Sequence, residues 1–438
     1  MGILEVKVGI RRLFLQEERF ALPESPQWIV AQLGAREHYV IPRTLHQRGR
    51  LTALLTDAWV PPCHPVRHLP GLHALKERYH PGLDTATVHA ATMSLLAFEA
   101  RARLQGWHGW TRMIHRNRWF EQHVTRMLDS AWEDQAQEPV VFAYSYAAHD
   151  LFVEAKKQGA FCVLGQIDAG PYEEDLVAAE HERQPAYAHD QVRAPTSYWE
   201  RWREECALAD LIIVNSAWSK EALSESGIAG DRVQVVPLAY EATQAASISS
   251  YPDAFTKERP LRVLYLGTLT LRKGLARLVK AAKRIQDMPV KITVVGGGAL
   301  SVPEAARNAP NIEWVGRVPR SEVNRHYRDS DVFLFPTLSD GFGLTQLEAM
   351  SQGLPVIASE LCGDVVEHNE NGWRLARPTP KAIADALRLC LSDPERLARW
   401  SKQALSTVPD YRPERVIDVL EDVVHGAKGG GYLPGPKT

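Results

Sequence analysis

The residues best suited to chemistry lie in one segment, 331–359, which reads DVFLFPTLSDGFGLTQLEAMSQGLPVIAS. Asp340 precedes Gly341 and Gly343, and glycines let the backbone approach a ligand closely. Free N–H groups at a helix N-terminus favour an anion, whereas a carboxylate accepts hydrogen bonds from sugar or ribose hydroxyls. Glu348, about one turn into the predicted helix, supplies a second carboxylate. This combination fits a nucleotide-sugar; the alternative is a βαβ unit whose glycines serve packing and whose acids are solvated.

A strand–loop–helix–strand unit positions these residues. The short apolar runs Val332–Phe335 and Val356–Ala358 predict two buried strands. Gly353 and Pro355 predict the end of the intervening helix. Three apolar residues at helical spacing share one face of that helix: Leu344, Leu347 and Met350.

The whole segment resembles the carboxylate-x7-Glu motif of retaining glycosyltransferases with the GT-B fold, of the glycosyltransferase family 4 type. Their usual form is E-G-F-G-L-x-x-L-E-A-M-A-x-G-x-P-V-I, and this chain has Asp340 at the first position. The resemblance implies that Glu348 holds ribose hydroxyls and that Asp340 holds the sugar and phosphate together with nearby N–H groups. The other donor-binding residues that it implies here are Gly341, Phe342, Gly343, Leu344 and Thr345.

A basic turn, Arg272-Lys273-Gly274, precedes another predicted helix. Two cations beside a helix N-terminus suit a diphosphate, and the alternative is a solvated basic turn. The turn resembles the family's G-R-L-x-x-x-K-G block, with Lys273 and Gly274 in register and Thr268 at the usual arginine position. The resemblance implies that Arg272 and Lys273 neutralise the diphosphate leaving group. It also implies that Gly297 of a glycine turn and backbone groups near Arg317 and Val318 meet the nucleotide.

The N-terminal half offers candidates at the carboxyl ends of predicted strands, where open α/β sheets bind ligands. The strands are Trp28–Gln32, Val140–Tyr144 and Phe161–Gln166. His149 is a catalytic candidate because similar transferases often place a histidine after such a strand, although a histidine at a helix start is more often structural. The loops supply the acceptor-side or sugar-contacting candidates Gly34, Ala35, Ser145 and Asp168.

Composition limits the classes of function. The 438 residues have 45% hydrophobic content and a formal net charge of −2, which gives no overall case for a nucleic-acid partner. No apolar run approaches the ~18 residues needed to span a bilayer. The five cysteines form no C-x-x-C pattern, which favours a reduced protein and a cytoplasmic location.

Residues 101–120 are unusual because they contain five arginines, three tryptophans and no acid. We favour a surface pair of helices with inward-packed tryptophans. The alternative is an acceptor-binding or membrane-surface patch, which leaves open a peripheral contact at the inner face of the membrane.

Length and the repeated α/β alternation predict two Rossmann-like domains with parallel sheets that face each other across a cleft. Residues 381–405 are expected to be helical. The expected units, in chain order, are an acceptor-side domain (1–240) with a mostly helical insertion (about 63–135), a hinge (241–260), a nucleotide-sugar-binding domain (261–410), a crossover helix (411–425) and a glycine-rich tail (426–438).

The resemblance implies transfer of a hexosyl group, with retention, from a UDP- or GDP-sugar to a small-molecule, glycan or lipid-linked acceptor. It implies neither a metal nor a side-chain nucleophile. Two alternatives remain at this point: a nucleotide-sugar epimerase of the same fold, and a non-catalytic protein that binds sugar nucleotides. Departures from the family pattern at Asp340 and Thr268 keep the last alternative open.

Overall fold

Two parallel β-sheets organise the chain in the computed structural model, which describes residues 26–68, 72–132, 139–187, 192–242, 250–298, 300 and 302–429. The first sheet has the order β3-β2-β1-β4-β5-β6-β7 and the second has the order β10-β9-β8-β11-β12-β13. The first sheet consists of β1 (Trp28–Gln32), β2 (Leu51–Thr56), β3 (Val88–Ala90), β4 (Val140–Tyr144), β5 (Phe161–Gly165), β6 (Leu211–Val214) and β7 (Val233–Val235). The second consists of β8 (Leu261–Leu266), β9 (Val290–Val295), β10 (Ile312–Gly316), β11 (Val332–Phe335), β12 (Val356–Ser359) and β13 (Gly372–Leu375).

Helices cover both faces of each sheet. With the first sheet they are α1 (Val40–Gln47), α2 (Thr92–Leu104), α3 (Gly109–Trp132), α4 (His149–Lys157), α5 (Gly170–Arg183), α6 (Thr196–Leu208) and α7 (Ala217–Glu225). The remaining helices are α8 (Leu275–Lys283), α9 (Glu304–Arg307), α10 (Arg320–Arg328), α11 (Thr345–Ser351), α12 (Pro380–Ser392), α13 (Pro394–Thr407) and α14 (Pro413–Lys428). Among the described residues, no helix is both long and apolar enough to cross a membrane.

The strands are apolar on both faces because each sheet is a middle layer. In β1, Ile29 and Ala31 pack with residues of α3 and α4, whereas Trp28 and Val30 face the opposite core. Such burial on both sides explains the unbroken hydrophobic runs in the sequence. In each sheet the strand order reverses beside its first strand, which places a ligand crevice at the carboxyl ends of the strands. We call the sheet β1–β7 with its helices the first domain and the sheet β8–β13 with its helices the second domain.

The last helix returns from the second domain to the first. Ile417 and Leu420 of α14 are buried in the same core as Trp28 and Val30. Arg48 of the first domain donates to Glu421 at 2.6 Å and lies 2.9 Å from Asp418. The C-terminal helix therefore fastens the two domains together.

The structure adds two details to the predicted elements. The insertion 63–135, predicted to be mostly helical, also contains β3, which pairs with β2; three residues are too short to give a periodic signal. The helical segment 381–405 consists of two helices, because Asp393 leaves the helical conformation and caps α13 through a bond from the Arg396 N–H at 2.9 Å. Parts of the predicted hinge 241–260 and tail 426–438 lie outside the described residues.

Asp331, directly before β11, binds Arg259, which precedes β8, and so connects the chain that leads into the second sheet to a strand inside that sheet. Its buried carboxylate accepts two bonds of 2.7 Å from the Arg259 guanidinium and one of 2.8 Å from the Arg262 backbone N–H. Burial acts to raise the pKa of Asp331, but the hydrogen bonds from Arg259 and Arg262 outweigh it and lower the pKa.

Replacing this carboxylate tests its contribution to stability. Asp331→Ala leaves two partly exposed guanidiniums without a partner and should lower the free energy of unfolding by about 2–4 kcal/mol in urea titrations. Because a lowered pKa stabilises the charged form, this loss should be full above pH 3.8 and should shrink as the pH falls below it. Asp329→Ala, which removes an exposed pair with Arg325, is the control and should cost less than about 1 kcal/mol. Equal losses in both variants would contradict the assignment.

Candidate active site

The loop after β11, residues 336–344, lies against the first domain. A Cβ atom added at Gly341 would lie 2.6 Å from the Ile167 carbonyl oxygen, so this approach requires glycine. On the same side, the Trp218 indole N–H donates to Ser339 Oγ at 3.0 Å. The 336–344 loop therefore meets the loop after β5 at the carboxyl edges of the two sheets.

Packing within the 336–344 loop fixes its shape. Gly343 has φ +84°, and a Cβ there would lie 2.6 Å from the Phe335 ring. Gln346 donates to the Phe342 carbonyl at 2.9 Å, and the Phe342 N–H donates to Asp340 at 3.3 Å. The Oγ1 atom of Thr345, at the start of α11, is buried and has no hydrogen-bond partner among the described residues.

Lys273 and Asp340 form an ion pair at the edge of this loop. Gly274 makes the arrangement possible, since it has φ +77° and a Cβ there would lie 2.0 Å from the Pro336 carbonyl oxygen. The Lys273 ammonium also lies 5.0 Å from the centre of the Phe335 ring. Burial and the adjacent Arg272 guanidinium lower the pKa of Lys273 to about 7.

Arg272 has a carboxylate partner from the other domain. Its guanidinium donates to the Ser339 carbonyl at 3.0 Å and lies 3.5 Å from Glu173 of α5. Glu173 in turn accepts a 2.5 Å bond from Ser339 Oγ. Burial raises the pKa of Glu173, and the Arg272 charge opposes that rise. Both cations are therefore paired with acids of this chain, and Glu173 was not among the residues predicted from the sequence.

Glu348 of α11 is held on the side that faces α10. Its side chain, 13% exposed, accepts 3.0 Å bonds from the Tyr327 hydroxyl and from Arg320. Neither partner was predicted from the sequence. The carboxylate is fixed before any ligand arrives, which suits an acceptor of ribose hydroxyl bonds.

The structure also brings together the remaining donor-side candidates. The Leu269 N–H donates to the Gly297 carbonyl at 3.2 Å, which joins the loops after β8 and β9 beside the exposed Thr268. A Cβ at Gly297 would lie 2.5 Å from Arg317 Nε, so the Arg317 side chain covers this glycine. Val318 packs on the core beneath α11.

A cavity of about 440 Å³ opens at the carboxyl edge of the first sheet. We call it the arginine cavity; it is lined by Ala31, Leu33, Arg36, Gly109, Arg112, Met113, Arg116, Asn117, Phe120, Tyr144, Ser145, Tyr146, Ala147, Ile167 and Tyr198. Ser145 therefore lines this cavity, whereas Gly34 and Ala35 lie in the chain between the lining residues Leu33 and Arg36. Asp168 follows Ile167 and accepts a 2.5 Å bond from the Tyr146 hydroxyl.

The structure does not bring His149 to this cavity. Its Nδ1 lies 2.9 Å from Asp150, and its Nε2 lies 3.6 Å from Glu204. Arg201 joins the same cluster through Asp150 at 2.8 Å. These contacts place His149 in a charge cluster at the start of α4.

Asp57, which the sequence analysis missed, supports the edge of the arginine cavity. Its carboxylate is fully buried and accepts the Gly34 N–H at 3.1 Å. Arg78 and Arg116 lie 3.3 and 3.2 Å from its two oxygens. A fully buried aspartate after a strand is recognisable only once its distant arginines are known.

The C-terminal part of the chain matches a known family. Residues 250–407 match the model described as glycosyl transferases group 1. This segment contains Lys273, Asp340 and Glu348, so the three candidates fall within the matched region.

Relatives and solved structures extend the likeness. The amylovoran biosynthesis glycosyltransferase AmsK of Erwinia amylovora is 32% identical over 31% of this chain and 37% of its own length. A D-inositol 3-phosphate glycosyltransferase of Xylanimonas cellulosilytica is 26% identical over 89% of this chain and 91% of its own length. In several other relatives, as in AmsK, the match covers less than half of their length.

The solved structure of Anabaena HepE in complex with UDP has a TM-score of 0.57 and 14% identity, covering 91% of this chain and all of HepE. At this identity the likeness shows the fold, which is GT-B, as predicted.

The Gly341 contact gives a test of how the domains meet. Gly341→Ala should separate the 336–344 loop from Ile167 and lower the apparent free energy of unfolding by about 1–3 kcal/mol, because the added methyl group meets backbone. Small-angle scattering should show a larger radius of gyration. Gly230→Ala is the matched control, since nothing lies within 4 Å of its added Cβ. An unchanged radius and stability in Gly341→Ala would show that the domains do not depend on this contact.

Proposed function

We propose that this protein is a retaining glycosyltransferase of the family 4 type that moves a hexosyl group from a UDP- or GDP-sugar to an acceptor. The observation that carries the proposal is the pair of cations beside the 336–344 loop: Lys273 is paired with Asp340, and Arg272 lies 3.5 Å from Glu173 of the first domain. Glu348 follows on α11, the helix that this loop leads into, and all four candidates lie within the region that matches glycosyl transferases group 1.

Donor binding would proceed by exchange of partners. The diphosphate takes the place of Asp340 beside Lys273 and of Glu173 beside Arg272, because a phosphate group offers more charge and more acceptor oxygens than one carboxylate. Thr345, at the start of α11 beside the same loop, has a hydroxyl with no hydrogen-bond partner among the described residues. Asp340, once released, accepts bonds from sugar hydroxyls, while Glu348 accepts them from the ribose.

Transfer then needs charge stabilisation on the leaving group. As the bond between the anomeric carbon and the diphosphate oxygen breaks, Arg272 and Lys273 stabilise the growing negative charge. The acceptor oxygen bonds to the anomeric carbon on the same face, and its proton passes to the leaving phosphate oxygen. Since two side-chain cations perform this role, we propose that the reaction requires no metal ion.

Donor use separates this proposal from its alternatives. UDP- and GDP-sugars are screened by thermal shift. For the nucleotide-sugar that binds, two rates are then measured: its consumption in the presence of an acceptor and its slow hydrolysis without one. Lys273→Ala should reduce both rates by about a hundredfold or more, as removal of one transition-state donor does. Lys283→Ala, which removes an exposed lysine of α8, should leave both rates unchanged. A changed sugar without acceptor dependence would identify an epimerase, and binding without turnover would identify a non-catalytic protein.

The lowered pKa of Lys273 predicts how donor affinity depends on pH. In the free protein the lysine loses its proton as the pH rises through about 7, whereas a bound diphosphate raises the pKa and favours the charged form. Affinity for UDP, measured by calorimetry, should therefore fall above pH 7, by up to about tenfold per pH unit, with proton uptake on binding. Lys273→Ala should abolish this dependence. A flat profile in the unmodified protein would contradict the assigned role.

A further inference from the structure

The charged residues that line the arginine cavity are all positive. Three guanidiniums line it, those of Arg36, Arg112 and Arg116, and no carboxylate is among its lining residues. They come from separate elements, since Arg36 follows β1 and the other two lie on successive turns of α3. Residues far apart in the chain thus bring positive charge to one concave surface.

The three arginines differ in how far the protein neutralises them. Arg36 lies over the Tyr144 ring at 5.2 Å and has no ion-pair partner among the described residues. Arg112 pairs with Glu99, while Arg116 lies 3.2 Å from Asp57, which Arg78 shares. Two further acids lie close by, since Asp168 accepts a bond from the Tyr146 hydroxyl and the buried Glu37 interacts with Arg36. Neither of them lines the cavity, and the charged groups among its lining residues are the three guanidiniums. Positive charge at a partly enclosed surface attracts an anion.

The cavity lies beside the crevice proposed for the donor. Ile167 lines the cavity, and its carbonyl oxygen is the atom that approaches Gly341 of the 336–344 loop. A molecule in the cavity would therefore lie next to Asp340 and the sugar that we propose it holds. Tyr146 and Tyr198, stacked at 5.1 Å with a 20° angle between rings, supply a flat wall on the same side.

We propose that the acceptor carries a phosphate group, bound by Arg36, Arg112 and Arg116, and presents a hydroxyl toward the donor. A phosphate monoester offers three oxygens and more than one negative charge, which matches several guanidiniums better than one carboxylate does. The volume of about 440 Å³ suits a small molecule such as a phosphorylated sugar or polyol. This inference rests on the proposed function, because it names the acceptor class of that reaction.

Glucose 6-phosphate is the probe, titrated calorimetrically into protein already saturated with UDP so that the donor site is occupied. It should bind, and glucose should not; glucuronate, which carries a carboxylate, should bind at least about tenfold more weakly than glucose 6-phosphate. Arg36→Gln and Arg112→Gln should each weaken binding of glucose 6-phosphate by about tenfold or more. Arg103→Gln, an exposed arginine of α2 outside the cavity, is the control and should change nothing.

The two proposals fail separately. If UDP binds and glucose 6-phosphate does not, or if Arg36→Gln and Arg112→Gln bind it as tightly as the unmodified protein, the phosphorylated acceptor is overturned and the donor site stands. Stronger binding of glucuronate would overturn the choice of phosphate. If no nucleotide or nucleotide-sugar binds, the proposed function fails, whatever glucose 6-phosphate does. Binding that weakens with added salt in the unmodified protein and less so in Arg36→Gln would support the charge-based argument.

Discussion

Positive charge that is withdrawn from water needs negative charge nearby, and this requirement shapes the crevice between the two domains. Lys273 is paired with Asp340 of its own domain, whereas Arg272 reaches Glu173 of the other one. The second pairing crosses the crevice, and Ser339 joins it by donating to Glu173. Electrostatic compensation therefore contributes to holding the 336–344 loop against the first domain.

Glycine is the second constraint, because the same loop comes within contact distance of backbone on two sides. Gly341 faces the Ile167 carbonyl, and Gly274 faces the Pro336 carbonyl. A side chain at either position would push the cations or the loop away from the crevice. The glycines therefore serve packing, which is the alternative considered from the sequence. The same close packing positions the groups that we propose bind the donor. The two explanations are compatible here.

The part of the site that could be predicted is the part that is local in sequence. Asp340, the two following glycines and Glu348 lie within nine residues, so the strand, the loop and the helix that carry them produce a readable pattern. Pairs of residues that are distant in the sequence could not be predicted. Glu173 lies 166 residues from its partner Ser339, and Arg116 lies 59 residues from its partner Asp57. Only the folded chain brings such pairs together, and single residues of their type are common on any surface. The sheets were predictable for a related reason, since each buried strand carries its own apolar run.

The first domain contains a backbone conformation that could not be predicted from the sequence. Tyr146 has φ +76°, a left-handed conformation that costs a residue with a side chain about 1–3 kcal/mol. The buried Glu205 carboxylate compensates by accepting the N–H groups of Tyr146 and Ala148, both at 2.6 Å, and burial raises the pKa of Glu205 to about 8. The result is a tyrosine ring stacked on Tyr198 in the wall of the arginine cavity.

The two domains differ in how they balance charge, and this difference bears on the order of events. Beside the 336–344 loop, Lys273 and Arg272 already have carboxylate partners, so the diphosphate that we propose binds there would have to displace Asp340 and Glu173. In the arginine cavity Arg112 and Arg116 pair with acids that lie behind the lining, and no carboxylate is among the lining residues themselves, so an anion can reach the guanidiniums from the open side. Displacing Glu173 would also loosen a contact between the domains. Donor binding would therefore be coupled to how closely the domains approach each other. The charged groups that line the arginine cavity all belong to the first domain, so its affinity for an anion would be the same whether the domains are close together or apart.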